Sequence, residues 1–263
     1  MNIHSTTIKP FRVLPALLIL ALPGLGFSEE GGDELPDAGA LLQAHLEAVG
    51  GREAVRKQDH STMKGKFEMP ESGLAGSLVV ASRPDNDRIS IIDLENFGEI
   101  RAGYAPELAW SVDPFMGPRI LEGEELEAQA EQNETGAILR EDSHVSAMET
   151  VERTEMGGTE CYRVRVEWKS GRETHDCYSV EDAYLVAVEF KQPSPMGEIE
   201  SITLMQDYRE FDDVIVPTRM VVATMGQEQV LTIESVQLGQ ADEELFKRPE
   251  SIKTLMADRP SED

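Results

Sequence analysis

Five histidines, His4, His45, His60, His144 and His175, are the side chains whose type best suits proton transfer or metal ligation near neutral pH. None has a second histidine three or four residues away, the spacing that would set two imidazoles on one helix face. Each therefore reads as a surface or packing residue. Asp85, Asp87 and Asp93 lie close enough in sequence to suggest a calcium loop, but Arg83-Pro84-Asp85-Asn86 is turn chemistry and already accounts for acidic residues there. The chain has no Gly-x-Ser-x-Gly elbow, no phosphate-cradling glycine loop, no His-Glu-x-x-His and no dinucleotide fingerprint. Fifty acidic residues are too many for one carboxylate pair to stand out. The sequence thus assigns no catalytic residue, no metal ligand and no cofactor, and it predicts a binding protein in preference to an enzyme.

Two cysteines remain, Cys161 and Cys177. In Glu160–Trp168 the apolar phase is Tyr162, Val164, Val166 and Trp168, and in Glu173–Val180 it is Tyr178 and Val180, so both cysteines fall on the opposite face. They bridge if the Lys169–Arg172 turn shifts the pairing by a residue or two. The alternatives are two unpaired small residues on an outer face, or a metal site with His175, for which third and fourth ligands are missing at any recognisable spacing.

The compartment follows from the N-terminus. Lys9 and Arg12 precede an uncharged run from Val13 to Phe27 that ends in small residues, the pattern of a signal peptide over residues 1–28. About 15 apolar residues fall short of the roughly 20 needed to span a bilayer, and no cysteine follows for lipid attachment. A periplasmic or otherwise secreted protein is expected, in which a disulfide would persist. Without residues 1–28 the charge becomes 22 basic against 50 acidic, or −28, compared with −26 for the whole chain. Such a surface repels phosphates, so nucleic acid is excluded as a partner and any lipid must be held by apolar contacts.

The elements that carry these residues are mostly strands. After a polar, Gly-rich leader at 29–39, the helical spacing of Leu41, Leu42, His45, Leu46 and Val49 predicts a helix that Gly50-Gly51 interrupts before a short piece, Arg52–Lys57. From Ser61 the period becomes two: Met63, Phe67 and Met69, then Leu74, Leu78 and Val80, then Ile89 and Ile91, then Leu108, Trp110 and Val112. A second helix is expected at Gly123–Asn133, where strong helix formers lack β-branching. Six further strands follow, Tyr162–Trp168, Cys177–Val180, Tyr184–Phe190, Ile199–Tyr208, Val214–Ala223 and Gln229–Val236, with a helical turn at Ala241–Phe246 and a frayed tail at 251–263. One α+β domain over 40–250 is predicted, mainly antiparallel: an unclosed half-barrel of about eleven strands with helices over its concave face.

Four segments add a resemblance: His45-Leu-Glu-Ala-Val-Gly-Gly-Arg-Glu-Ala54, Arg83-Pro-Asp-Asn-Asp-Arg88, Ala109-Trp-Ser-Val-Asp-Pro-Phe-Met-Gly-Pro-Arg119 leading to Leu121-Glu-Gly-Glu-Glu125, and Asp207-Tyr-Arg-Glu-Phe-Asp-Asp-Val-Ile-Val-Pro217. Together the chain resembles the bacterial outer-membrane lipoprotein-sorting (LolA-like) superfamily, with Asp213 where a glycine is usual. The resemblance implies a half-barrel round a hydrophobic cavity, helices as its lid, and a lipid or acylated protein as partner, exchanged with membrane-bound donor or acceptor complexes.

The residues expected to line the concave face are Met63, Phe67, Leu78, Val80, Ile89, Ile91, Trp110, Val112, Val164, Val166, Trp168, Val186 and Val188. Eleven methionines suit ligands of varied shape, because an unbranched thioether adapts its conformation. The sequence predicts a carrier or sensor that takes an acyl chain or other apolar ligand. The competing reading is an interaction protein whose trough is plugged by its own side chains.

Overall fold

The computed structural model of the chain describes residues 34–192 and 197–258. The apolar run and the leader up to residue 33 lie outside the described residues. Helix α1 (Ala38–Ala48) starts inside the segment expected to be leader, because the Asp37 carboxylate caps it by accepting from the Ala40 N–H at 2.9 Å. Gly50 and Gly51, with φ of 101° and 89°, end that helix and turn the chain into α2 (Arg52–Lys57).

Six strands follow as a meander: β1 (Ser61–Met69), β2 (Leu74–Arg83), β3 (Asp87–Leu94), β4 (Gly98–Ala105), β5 (Leu108–Asp113) and β6 (Gly117–Leu121). The chain then leaves the sheet through α3 (Glu124–Asn133) and α4 (Thr135–Ile138). It returns as a second meander: β7 (Val145–Met156), β8 (Thr159–Trp168), β9 (Glu173–Ser179), β10 (Leu185–Gln192), β11 (Ile199–Phe211), β12 (Val214–Thr224) and β13 (Gln227–Leu238). A 3₁₀ turn, Glu243–Phe246, and α5 (Glu250–Ala257) follow.

All thirteen strands form one antiparallel sheet in the order β6-β5-β4-β3-β2-β1-β13-β12-β11-β10-β9-β8-β7. The two meanders meet where β1 pairs with β13, with a bulge between Lys64 and Gly65. The edges, β6 and β7, stay unpaired with each other, so the barrel is not closed. Three strands, β4, β6 and β7, exceed the alternation read from sequence.

The sheet is strongly curled, and one short helix shows it. The Arg88 guanidinium of β3 donates to the Asn133 carbonyl just before α4, and Arg140 just after α4 bonds Asp176 of β9. Between β3 and β9 lie six strands, which would hold them about 34 Å apart in a flat sheet at roughly 4.8 Å per spacing. A four-residue helix reaches both only if the face it touches is concave. The first meander and α3–α4 thus approach the second meander from inside the curve.

Residues 251–257, expected to be frayed, belong instead to α5. Ile252, fully buried, anchors α5 to the sheet, with Leu245, Phe246, Leu255 and Met256 packed round the same cluster. This cover lies on the outer face, opposite α1–α4.

Candidate functional site

Strand register sorts the residues expected to line the trough. Met63 faces Val80 across β1–β2, and Phe67 and Leu78 stand on the same side, which continues through Leu94, Ile92 and Ile100. In the second meander Val164, Val166 and Trp168 share the concave face with Tyr178, and Val188 joins them opposite Asp176. The other five do not point inward. Ile89, Ile91, Trp110 and Val112 pair with Ala81, Val79, Gly103 and Arg101 on the outer face, under the 3₁₀ turn and α5. Val186 sits in a bulge between Leu185 and Ala187 and packs with Ala187, Cys161 and Cys177, also outside. Alternation ties residues of one strand to a common face; it does not say which of two covered faces that is.

The concave surface has two sectors of different character. Over β7–β9 it is plugged: Ala38 of α1 and Ala137 of α4 pack on Val145, Val164, Val166, Trp168 and Tyr178, all buried. Leu42 and Leu46 of α1, with Val49 just after it, close the same region against Val55 and Leu139. A charged group holds this plug in place. Arg140, whose side chain is 11% exposed, grips the wholly buried Asp176 with Nε at 3.0 Å and Nη2 at 3.1 Å, while its guanidinium lies 4.9 Å from the Trp168 ring centre. The Tyr178 hydroxyl donates to the same carboxylate at 3.1 Å, and burial with the adjacent negative charge drives its pKa well up. His45 on α1 donates from Nδ1 to the Ala183 carbonyl at 3.2 Å and sits 5.5 Å from the Tyr178 ring. Burial lowers its pKa to about 4, so it is neutral at physiological pH.

The second sector, over β12-β13-β1-β2-β3-β4, is aliphatic. Phe67, Leu78, Leu94 and Ile233 form a buried floor. Above them Met63, Val80, Ile92, Ile100, Met220 and Leu231 are only half-buried and leave an apolar rim open. At one end this rim meets a polar knot in which Asp59 accepts from Arg88 at 3.1 Å and from Thr135. The members of the knot bond one another, and through Thr135 it braces α4.

On the outer face Cys161 and Cys177 are bonded, with Cα atoms 5.6 Å apart. They are diagonal neighbours, since Cys161 pairs with Ser179 and Arg163 with Cys177. Asp85 and Asn86, both at positive φ, form the β2–β3 turn, and Asp87 is engaged by Arg83. Sequence reasoning missed Ile92, Ile100, Met220, Leu231 and Ile233, and also Asp176. The signal for Asp176 was present, because it occupies the inward phase of a strand whose neighbours there are apolar.

The curled, unclosed antiparallel sheet with helices inside it is the LolA-like fold. Solved structures place the chain there. It is similar to a LolA superfamily protein from Nitrosomonas europaea, at a TM-score of 0.51 and 14% identity over 81% of this chain and 98% of that one. A putative outer membrane lipoprotein-sorting protein domain from Vibrio parahaemolyticus matches at 0.50 and 9%, over 80% and 97%. A DUF1329 family protein from Desulfovibrio piger matches at 0.52 and 11%, over 80% and 97%. No protein-family model matches the sequence, and no curated protein matches it.

Proposed function

We propose that the protein is an extracytoplasmic carrier or sensor that binds an acyl chain, free or attached to a protein, in the aliphatic sector of its trough. The observation that carries this reading is the rim of Met63, Val80, Ile92, Ile100, Met220 and Leu231, half-buried over a closed apolar floor. Soluble domains seldom leave so continuous a set of large apolar side chains on a concave surface unless it serves as a binding site. The lipoprotein-sorting domain among the similar structures supports the same ligand class. Binding, not catalysis, is the role inferred, since the polar groups beside the trough are spent on one another. Membrane-bound donor or acceptor complexes would load and empty it, and a cleaved signal peptide would deliver it.

Affinity should come from burial, at about 0.8 kcal/mol per methylene. Lengthening a dansylated fatty acid by two methylenes should therefore tighten binding roughly tenfold until the trough is full. Val80→Asp at the rim should abolish uptake while circular dichroism stays unchanged. Affinities that do not vary with chain length, or full uptake by folded Val80→Asp, would rule the reading out. A protein that takes up no acyl chain would instead favour the interaction-protein alternative, with the plug over β7–β9 as its structural basis.

A further inference from the structure

A cavity lies on the outer face of the first meander, across the sheet from the trough. Its volume is about 550 Å³, within the range of small-ligand sites. Ile89 and Trp110 form its floor, and Phe246 and Met256 rise on the C-terminal side. Gly103 makes that floor: a Cβ there would come within 2.3 Å of the Trp110 indole, so only glycine lets the ring lie across β4.

The charge round this cavity runs against that of the chain. Arg83, Arg248 and Lys253 bring their charges to it with a single carboxylate, Asp87, in a protein of net charge −26, while Arg88 of the same wall turns its guanidinium to Asp59 on the concave side. Arg83 is shared by Asp87 and Glu243 and stacks 4.5 Å over the Phe246 ring; Lys253 pairs with Glu250, and Arg88 with Asp59. Arg248 differs. Its guanidinium lies 4.0 Å from the Met256 sulfur, and among the described residues no carboxylate pairs with it. The cavity therefore joins an aromatic floor to a cation whose charge is uncompensated.

We propose that this cavity binds a small carboxylate with an aromatic or short aliphatic body, its head held by Arg248 and Lys253 and its body laid on Trp110. The two contributions are separable, because a cation-held carboxylate is lost with the charge while the apolar contact remains. Calorimetric titration of the purified protein with 2-naphthoate and with uncharged 2-naphthylmethanol tests the assignment. Naphthoate should bind one per chain, change Trp110 emission, and bind about tenfold or more tighter than the alcohol. Arg248→Gln combined with Lys253→Gln, both at exposed positions, should remove that preference while leaving the melting temperature and acyl-chain uptake unchanged. Val80→Asp, which blocks the trough, should leave naphthoate bound. The proposal is overturned if naphthoate does not bind, if acid and alcohol bind alike, if the double variant keeps the preference, or if Val80→Asp is the variant that loses it.

Discussion

Replacing Asp176 by Asn should be among the most damaging conservative changes available to this protein. The carboxylate is wholly buried and accepts three hydrogen bonds, two from Arg140 and one from Tyr178, at 3.0 to 3.1 Å. An amide keeps the shape but loses the charge, so the Arg140 guanidinium is left without a counter-ion among Ala137, Trp168 and Tyr178. Removing one partner of such a pair costs about 3–5 kcal/mol, against a total stability on the order of 5–15 kcal/mol for a folded domain. Urea denaturation followed by Trp168 emission would read the loss directly, since the guanidinium lies over that ring. Arg140→Met combined with Asp176→Leu should cost much less than the sum of the single changes, because it buries no unpaired charge. A cost below about 1 kcal/mol for Asp176→Asn, or additive costs in the double variant, would refute the view that this pair clamps α4 to the sheet.

Other outcomes are equally direct. Reducing the Cys161–Cys177 bridge, which closes a sequence separation of 16, should lower stability by about 2–4 kcal/mol, read as a lower melting temperature with unchanged secondary structure. His45, held neutral with a pKa of about 4 against 6.5 in the unfolded chain, should make stability constant above pH 6.5 and progressively lower from there down to pH 4, where the unfolded state takes up the proton first. The full span corresponds to on the order of 3 kcal/mol, and His45→Asn should flatten that part of a pH–stability curve. Gly103→Ala should drive Trp110 off its floor and cost about 1–3 kcal/mol, with a shift in tryptophan emission that Gly→Ala changes in open turns do not produce.

What could be read in advance followed the strength of the local pattern. Val164, Val166 and Trp168 announce a strand and its buried face because their neighbours Arg163, Arg165 and Glu167 are charged. The β4 segment, Gly98–Ala105, hides because it carries Gly103 and Arg101 where a strand pattern would want bulk, and that space is filled by Trp110 from the next strand. In β7, an edge strand, most positions are polar and only Val145 is buried. Ile252, Leu255 and Met256 have helical spacing, yet their position near the chain end masked it. The trough itself was half legible. Met63, Phe67, Leu78 and Val80 share the concave face, but the outer face of the first meander is also covered, so Ile89, Ile91, Trp110 and Val112 obey the same alternation for a different cause.

The seam between β1 and β13 governs the order of assembly. Residue 61 pairs with residue 238, so the centre of the sheet joins the first strand made to the last. During synthesis, at roughly 5–20 residues per second, each meander can zip up from neighbouring hairpins, but β1 keeps a bare hydrogen-bonding edge until β13 has been made. Loop-closure entropy for so distant a contact makes this joining a slow event. A nascent chain of this kind stays incompletely folded until the strands on both sides of the seam have been made.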